Sequence, residues 1–131
     1  MSERPFLGLR TVIYHVSDLA AARAWYEKVL GTAPYFDQPY YVGFHVGGYE
    51  LGLDPDPASG APGRGGAVPY LGVTDAEAAL ERLRGLGAGL VSGVQEVGEG
   101  IKVAVVEDPE GNLLGIIENP GFKAEGPGPN P

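Results

Sequence analysis

The sequence predicts an α+β protein made of two βαβββ modules, and three observations predict it. A strand-then-helix pattern occurs twice, because Val16-Ser17-Asp18-Leu19 aligns with Val73-Thr74-Asp75-Ala76, 57 residues later. Each helix is followed by the pattern of a β-hairpin. A segment rich in proline and glycine separates the two halves. A repeat of order, caps and hairpins favours true internal duplication over chance similarity.

The first module begins with a strand from Thr11 to Val16, in which apolar side chains alternate between two faces. Ser17 or Asp18 is the expected N-cap of the helix that follows. Gly31 is expected to end this helix. Its buried face has helical spacing and comprises Ala22, Trp25, Tyr26, Val29 and Leu30.

The second module repeats this order with a strand from Val68 to Val73. Thr74 and Glu77 have the spacing of a capping box. Gly85 and Gly87 are expected to close the helix. Its buried stripe comprises Ala76, Ala79, Leu80 and Leu83.

Both helices precede sequences typical of hairpins. The first hairpin is expected to turn at Gly47-Gly48 and the second through Pro109-Glu110-Gly111. Short strands near Tyr35-Phe36 and Leu90-Val91 complete the modules. The predicted boundaries are 9–53 and 67–119 for the modules, 54–66 for a linker too rich in Pro, Gly and Ser to pack, and 120–131 for a flexible tail.

Composition excludes several classes of function. The chain has 131 residues, no cysteine, and a formal net charge of −8. This charge would repel phosphate backbones, so nucleic acid and anionic membranes are poor partners. No apolar run reaches the roughly 20 residues of a membrane span. Absence of cysteine suits the cytoplasm, which is the predicted location.

The segments "HVSDLAAARAWYEKVLG" and "VEDPEGNLLGIIE" resemble the vicinal oxygen chelate superfamily, which includes glyoxalase I, extradiol dioxygenases and bleomycin resistance proteins. The resemblance implies mixed sheets that curve into a cup, with helices on the convex side. It also implies a homodimer.

The resemblance implies four positions that hold a divalent ion in metal-dependent relatives, usually through His and Glu. In this sequence they are Thr11, Val68, Gly115 and either Glu50 or Gly52. At most one of them offers a carboxylate, whereas a catalytic metal generally needs three protein ligands. The sequence therefore predicts no metal and no cofactor.

Three alternatives remain open for the polar residues of the cup. His15 and Glu50 are expected to face it and are candidates for acid–base catalysis. Together with His45 they could form a relocated metal site. His15 could equally be a core histidine satisfied by a neighbour.

The loss of polar ligands predicts a roomier and more apolar cup. Tyrosines could line it and hold a planar, amphipathic or cationic guest. The predicted function is metal-free binding or sequestration of a small organic ligand, as in bleomycin resistance proteins. The alternatives are a lyase, isomerase or dioxygenase and a scaffold with a closed cup. The candidate ligand-binding residues are Thr11, Ile13, His15, Tyr41, Phe44, Glu50, Gly52, Val68, Tyr70 and Gly115.

Overall fold

The computed structural model describes residues 5–121 and contains eight strands and two helices. The elements of the first half are β1 (Thr11–His15), α1 (Leu19–Leu30), β2 (Phe36–Gln38), β3 (Tyr41–Val46) and β4 (Tyr49–Asp54). Those of the second half are β5 (Tyr70–Gly72), α2 (Ala76–Gly85), β6 (Gly89–Gly98), β7 (Ile101–Glu107) and β8 (Leu113–Glu118).

The strands form two mixed four-stranded sheets with the same topology. Their orders are β1-β4-β3-β2 and β5-β8-β7-β6. The first strand of each half pairs in parallel with the last, and the other pairs are antiparallel. This arrangement confirms the predicted α+β class with two βαβββ modules.

An aspartate caps each helix. The Asp18 side chain accepts a hydrogen bond from the Ala21 N–H, and Gly31 ends α1 with a φ of 72°. In α2 the cap is Asp75, which accepts from the Ala78 N–H. The prediction of Thr74 was therefore wrong. Asp75 is the repeat equivalent of Asp18, and its carboxylate reaches the free N–H groups of the first turn.

Each sheet packs one face against helices and leaves the other face open. Leu51 and Leu53 of the first sheet pack with Tyr26 of α1. Leu114 and Ile116 of the second sheet pack with Leu83 of α2. The open faces are therefore where a ligand could reach the sheets.

Helix α1 joins the two modules. Val29 belongs to the core cluster of the second module, although it lies on the helix of the first. The buried Tyr26 hydroxyl donates to Asp108 at 2.7 Å, and the Trp25 indole donates to the Leu86 carbonyl at 2.8 Å. Trp25 and Leu30 also pack against the core clusters of both halves, so α1 bridges two cores.

The predicted linker, residues 54–66, contains no buried residue and is mostly exposed, but it contacts both modules at a few points. The Gly63 N–H donates to the Asn112 side chain at 2.9 Å, and Arg64 pairs with Glu107. A Cβ added at Gly60 would lie 2.7 Å from the His15 ring. The glycines allow the linker backbone to approach closely. Of the predicted flexible tail, residues 122–131 lie outside the described range.

Within residues 5–121, neither helix is long and apolar enough to cross a membrane.

Candidate functional site

The strand register determines which side chains share the open face of the first sheet. Thr11 of β1 lies opposite Glu50 of β4, and His45 of β3 also lies opposite Glu50. One pleat along, Gly43 of β3 lies opposite Gly52 of β4. Partners in register point to the same side of a sheet, so these residues form one surface.

Three hydroxyl groups converge on the Glu50 carboxylate. Thr11 donates to Oε1 at 2.5 Å and Tyr41 donates to the same oxygen at 2.7 Å. Tyr35, just before β2, donates to Oε2 at 2.5 Å. We call Thr11, Tyr35, Tyr41 and Glu50 the Glu50 cluster. These bonds hold the carboxylate in one orientation over the sheet.

The hydrogen bonds change the acidity of the cluster. Burial opposes ionisation of Glu50, but the bonds from Thr11, Tyr35 and Tyr41 outweigh burial and lower the pKa of this carboxyl. Burial and the bond to Glu50 raise the pKa of Tyr41 to about 12. At neutral pH the cluster is therefore a carboxylate surrounded by neutral hydroxyls.

Two glycines form the floor beneath the cluster. A Cβ at Gly43 would lie 2.5 Å from Glu50 Oε2, and a Cβ at Gly52 would overlap the Tyr41 hydroxyl. The Glu50 cluster therefore occupies the space that side chains at these two positions would fill.

The second sheet repeats this arrangement with a single tyrosine. Tyr70 of β5 lies opposite Gly115 of β8, and a Cβ at Gly115 would lie 2.5 Å from the Tyr70 ring. Gly115 therefore leaves room for an aromatic ring at a position where the family resemblance implied a metal ligand.

Two adjacent hollows lie beside the edge of β1. One, of about 210 Å³, brings Thr11, Glu50 and Tyr49 next to Pro69 and Tyr70. The other, of about 450 Å³, runs under the linker. Ile13, His15 and Val68 line it, together with linker residues such as Arg64. Six of the ten candidate residues therefore line these two hollows, three in each, whereas Tyr41, Phe44, Gly52 and Gly115 line neither.

Phe44 does not line the open face, contrary to the prediction. It is fully buried in the core cluster that contains Tyr26. Strand alternation places Tyr41, Gly43 and His45 on the open side of β3, so Phe44 points to α1.

His15 and Glu50 do not converge. His15 lies opposite Asp54, whereas Glu50 lies opposite Thr11. Four residues along a strand correspond to about 13 Å. The His15 Nδ1 is buried and has no hydrogen-bond partner among residues 5–121, and its ring faces Gly60. The distance between His15 and Glu50 argues against the predicted acid–base pair and against a relocated metal triad with His45. The His45 ring stacks on Tyr35 instead.

The four family positions do not fit a divalent ion. Thr11 and Glu50 bond to each other, and Tyr70 covers Gly115. Within residues 5–121, the single group of three close ligand atoms is Asp75, Glu77 and Glu118, on the helix side of the second sheet. There Glu118 accepts from the Ala76 N–H and Glu77 pairs with Lys102.

The predicted ligand-binding residues did not include Tyr35 or Gly43, and His45 was considered only as part of a relocated metal site. The signal was present in the two-residue turn at Gly47-Gly48, because counting outward from it pairs His45 with Glu50 and Gly43 with Gly52. The reach of the Tyr35 ring from outside the strand carries no sequence signal.

Comparisons with known proteins identify the family. The model of the Glyoxalase/Bleomycin resistance protein/Dioxygenase superfamily matches residues 8–116. No curated protein sequence matches the chain significantly.

Several solved structures resemble it. A glyoxalase-related enzyme from Fulvimarina pelagi is 21% identical, with a TM-score of 0.75 over 92% of this chain and 94% of that one. A lactoylglutathione lyase from Agrobacterium tumefaciens is 23% identical, with a TM-score of 0.74 over 91% and 100%. A glyoxalase/bleomycin resistance protein from Catenulispora acidiphila is 25% identical, with a TM-score of 0.65 over 86% and 100%. The repeated βαβββ topology and the family match agree, and the chain belongs to the glyoxalase/bleomycin resistance protein/dioxygenase superfamily.

Proposed function

We propose that this protein binds a small amphipathic organic ligand at the Glu50 cluster and that binding needs no metal ion. One observation carries the proposal. Where a metal site would require free ligand atoms, Glu50 already accepts three hydrogen bonds from neighbouring hydroxyls. A carboxylate held in this way is prepared for an organic partner instead.

The surroundings of the cluster support a ligand with an apolar body. Tyr35 bonds to Glu50 and Tyr70 lines the neighbouring hollow, and the two residues remain 53% and 45% exposed. Large rings with polar tips near a hollow are typical of small-molecule sites.

Binding or sequestration is favoured over catalysis. An acid–base mechanism needs two groups within reach of one substrate atom. His15 and Glu50 are separated by two pleats of β1, about 13 Å. The homodimer, the cytoplasmic location and a function like that of bleomycin resistance proteins stay predictions.

A thermal-shift screen of metal-stripped protein tests the proposal. We expect aromatic amphipathic compounds to raise the melting temperature with EDTA present. A ligand at 100 times its Kd adds about 2.7 kcal/mol to the free energy of unfolding. That corresponds to a rise of several degrees for a chain of this size.

Two matched variants test whether the ligand binds at the Glu50 cluster. Tyr41→Ala should abolish the shift, whereas Tyr40→Ala, which removes a ring that is 66% exposed, should preserve it. The proposal is wrong if stoichiometric metal co-purifies with the protein and stripping the metal abolishes ligand binding.

A further inference from the structure

We infer that the Glu50 cluster selects an organic cation that carries N–H donors, such as a protonated primary amine on a small aromatic or apolar body. This inference rests on the proposed function and specifies the chemical class of its ligand.

The hydrogen bonds of the cluster decide what it can offer a ligand. A hydroxyl group has one proton to donate. The protons of Thr11, Tyr35 and Tyr41 all go to Glu50. The three hydroxyl oxygens therefore present only lone pairs, as does the carboxylate. A ligand that supplies acceptors would leave these groups unpaired, whereas one that supplies donors would satisfy them.

The charge of the cluster adds a second requirement. None of the ion pairs formed within residues 5–121 involves Glu50. Glu50 is nevertheless partly buried, and the whole chain carries a formal net charge of −8. Within residues 5–121 the basic group that acts on this carboxylate is the imidazole of His45, opposite it in the sheet. A partly buried carboxylate that no Lys or Arg of these residues pairs with is stabilised further by a positively charged ligand.

Aromatic rings around the carboxylate favour the same class. The Tyr35 ring stacks on His45 with their centroids 4.2 Å apart, beside Glu50. Tyr70 borders the hollow that Glu50 lines. The faces of tyrosine rings attract organic cations, which are also held by the carboxylate.

The size of the hollow limits the ligand. Its volume of about 210 Å³ lies below the roughly 300–1,000 Å³ of pockets for drug-sized molecules. The site therefore suits a small amine or the amine-bearing end of a larger molecule.

Four probes that share one phenyl ring separate charge from hydrogen bonding. Calorimetric titration would compare 2-phenylethylammonium, 2-phenylethanol, trimethyl(2-phenylethyl)ammonium and 3-phenylpropionate. We expect the primary ammonium to bind at least tenfold more tightly than the neutral alcohol and the quaternary ion, and the carboxylate not to bind.

Two variants assign the effect to Glu50. Glu50→Gln should weaken binding of the primary ammonium at least tenfold and leave binding of the alcohol within about twofold. Glu81→Gln, which changes an exposed carboxylate on α2, should change neither. Tyr35→Phe removes one donor to Glu50 and provides a second, milder variant if Glu50→Gln fails to fold.

The outcomes separate this inference from the proposed function. If the alcohol or the carboxylate binds as tightly as the primary ammonium, the inference fails and the proposed function stands. Equal binding of the quaternary ion would overturn the requirement for N–H donors. If Glu50→Gln binds the primary ammonium as tightly as the wild-type protein does, the ligand does not bind at the Glu50 cluster and the inference is wrong. If metal-stripped protein binds no organic compound in the screen above, the proposed function itself fails.

Discussion

Gly43, Gly52 and Gly115 are required for the space they leave and not for unusual backbone angles. None of the three has a positive φ, so other residues could adopt their backbone conformation. At each position, however, an added Cβ would collide with an atom of Glu50, Tyr41 or Tyr70. Glycine in a strand sacrifices packing. Here the gain is that a larger side chain from a neighbouring strand can lie flat on the sheet.

Gly52→Ala tests this role. The new methyl group would displace the Tyr41 hydroxyl and break its bond to Glu50. We expect the free energy of unfolding to fall by about 1–3 kcal/mol, the usual cost of overpacking. The Glu50 pKa should rise towards its ordinary value, because one of its donors is lost. Chemical denaturation and an NMR titration of the Glu50 carboxyl would measure both effects.

Gly72→Ala is the matched control, since Gly72 lies in β5 and an added Cβ there meets no atom within 4 Å. It should leave stability and the Glu50 pKa unchanged. If both alanine variants behave alike, the packing of Tyr41 over Gly52 does not matter.

The sequence indicated that Gly52 and Gly115 supply no metal ligand, but it did not predict which side chains occupy the space above them, and it did not assign Gly43 to the site. Strand alternation shows which residues share a face. It does not show that the Tyr41 ring reaches diagonally across to Gly52, or that Tyr35 bends back over Gly43. The open face is consequently less empty and more polar than the predicted apolar cup.

At the level of elements, the helical spacing of apolar residues was enough to predict both helices. The N-cap of α2 could be identified only by aligning the two modules. Thr74 with Glu77 satisfied a local rule. Alignment of the two modules instead places Asp75 on Asp18, and both aspartates cap their helices in the structure. For the linker, composition indicates a low propensity to pack but cannot indicate that Gly60 lies against His15.

Asp75→Ala should lower the free energy of unfolding by about 1 kcal/mol, the usual contribution of an N-cap. The reason is that the Ala78 N–H would lose its partner. Thr74→Ala is the control and should change stability by less than about 0.5 kcal/mol, as for an ordinary exposed position. Urea denaturation of both variants gives the comparison. A larger loss of stability in Thr74→Ala than in Asp75→Ala would support Thr74 as the N-cap of α2.

On the scale of the whole molecule, helix α1 makes the two modules one folding unit. Val29 lies in the core of the second module, and Tyr26 holds the second module through Asp108. Helical spacing predicted that these residues are buried. It could not show that they are buried against the other module, because periodicity identifies a face and not its partner.

The single tryptophan of the chain, Trp25, lies at this junction and reports on it. We expect its fluorescence and the far-ultraviolet circular dichroism to change in one coincident urea transition, as in a two-state domain. Tyr26→Phe removes a buried hydrogen bond to Asp108 and should lower the free energy of unfolding by about 1.5–3 kcal/mol, the range for bonds to charged groups. The transition should remain single, since the apolar contacts of α1 persist. Tyr40→Phe, at an exposed position, should have no effect. An earlier fluorescence transition in the wild-type protein would mean that the modules separate before they unfold.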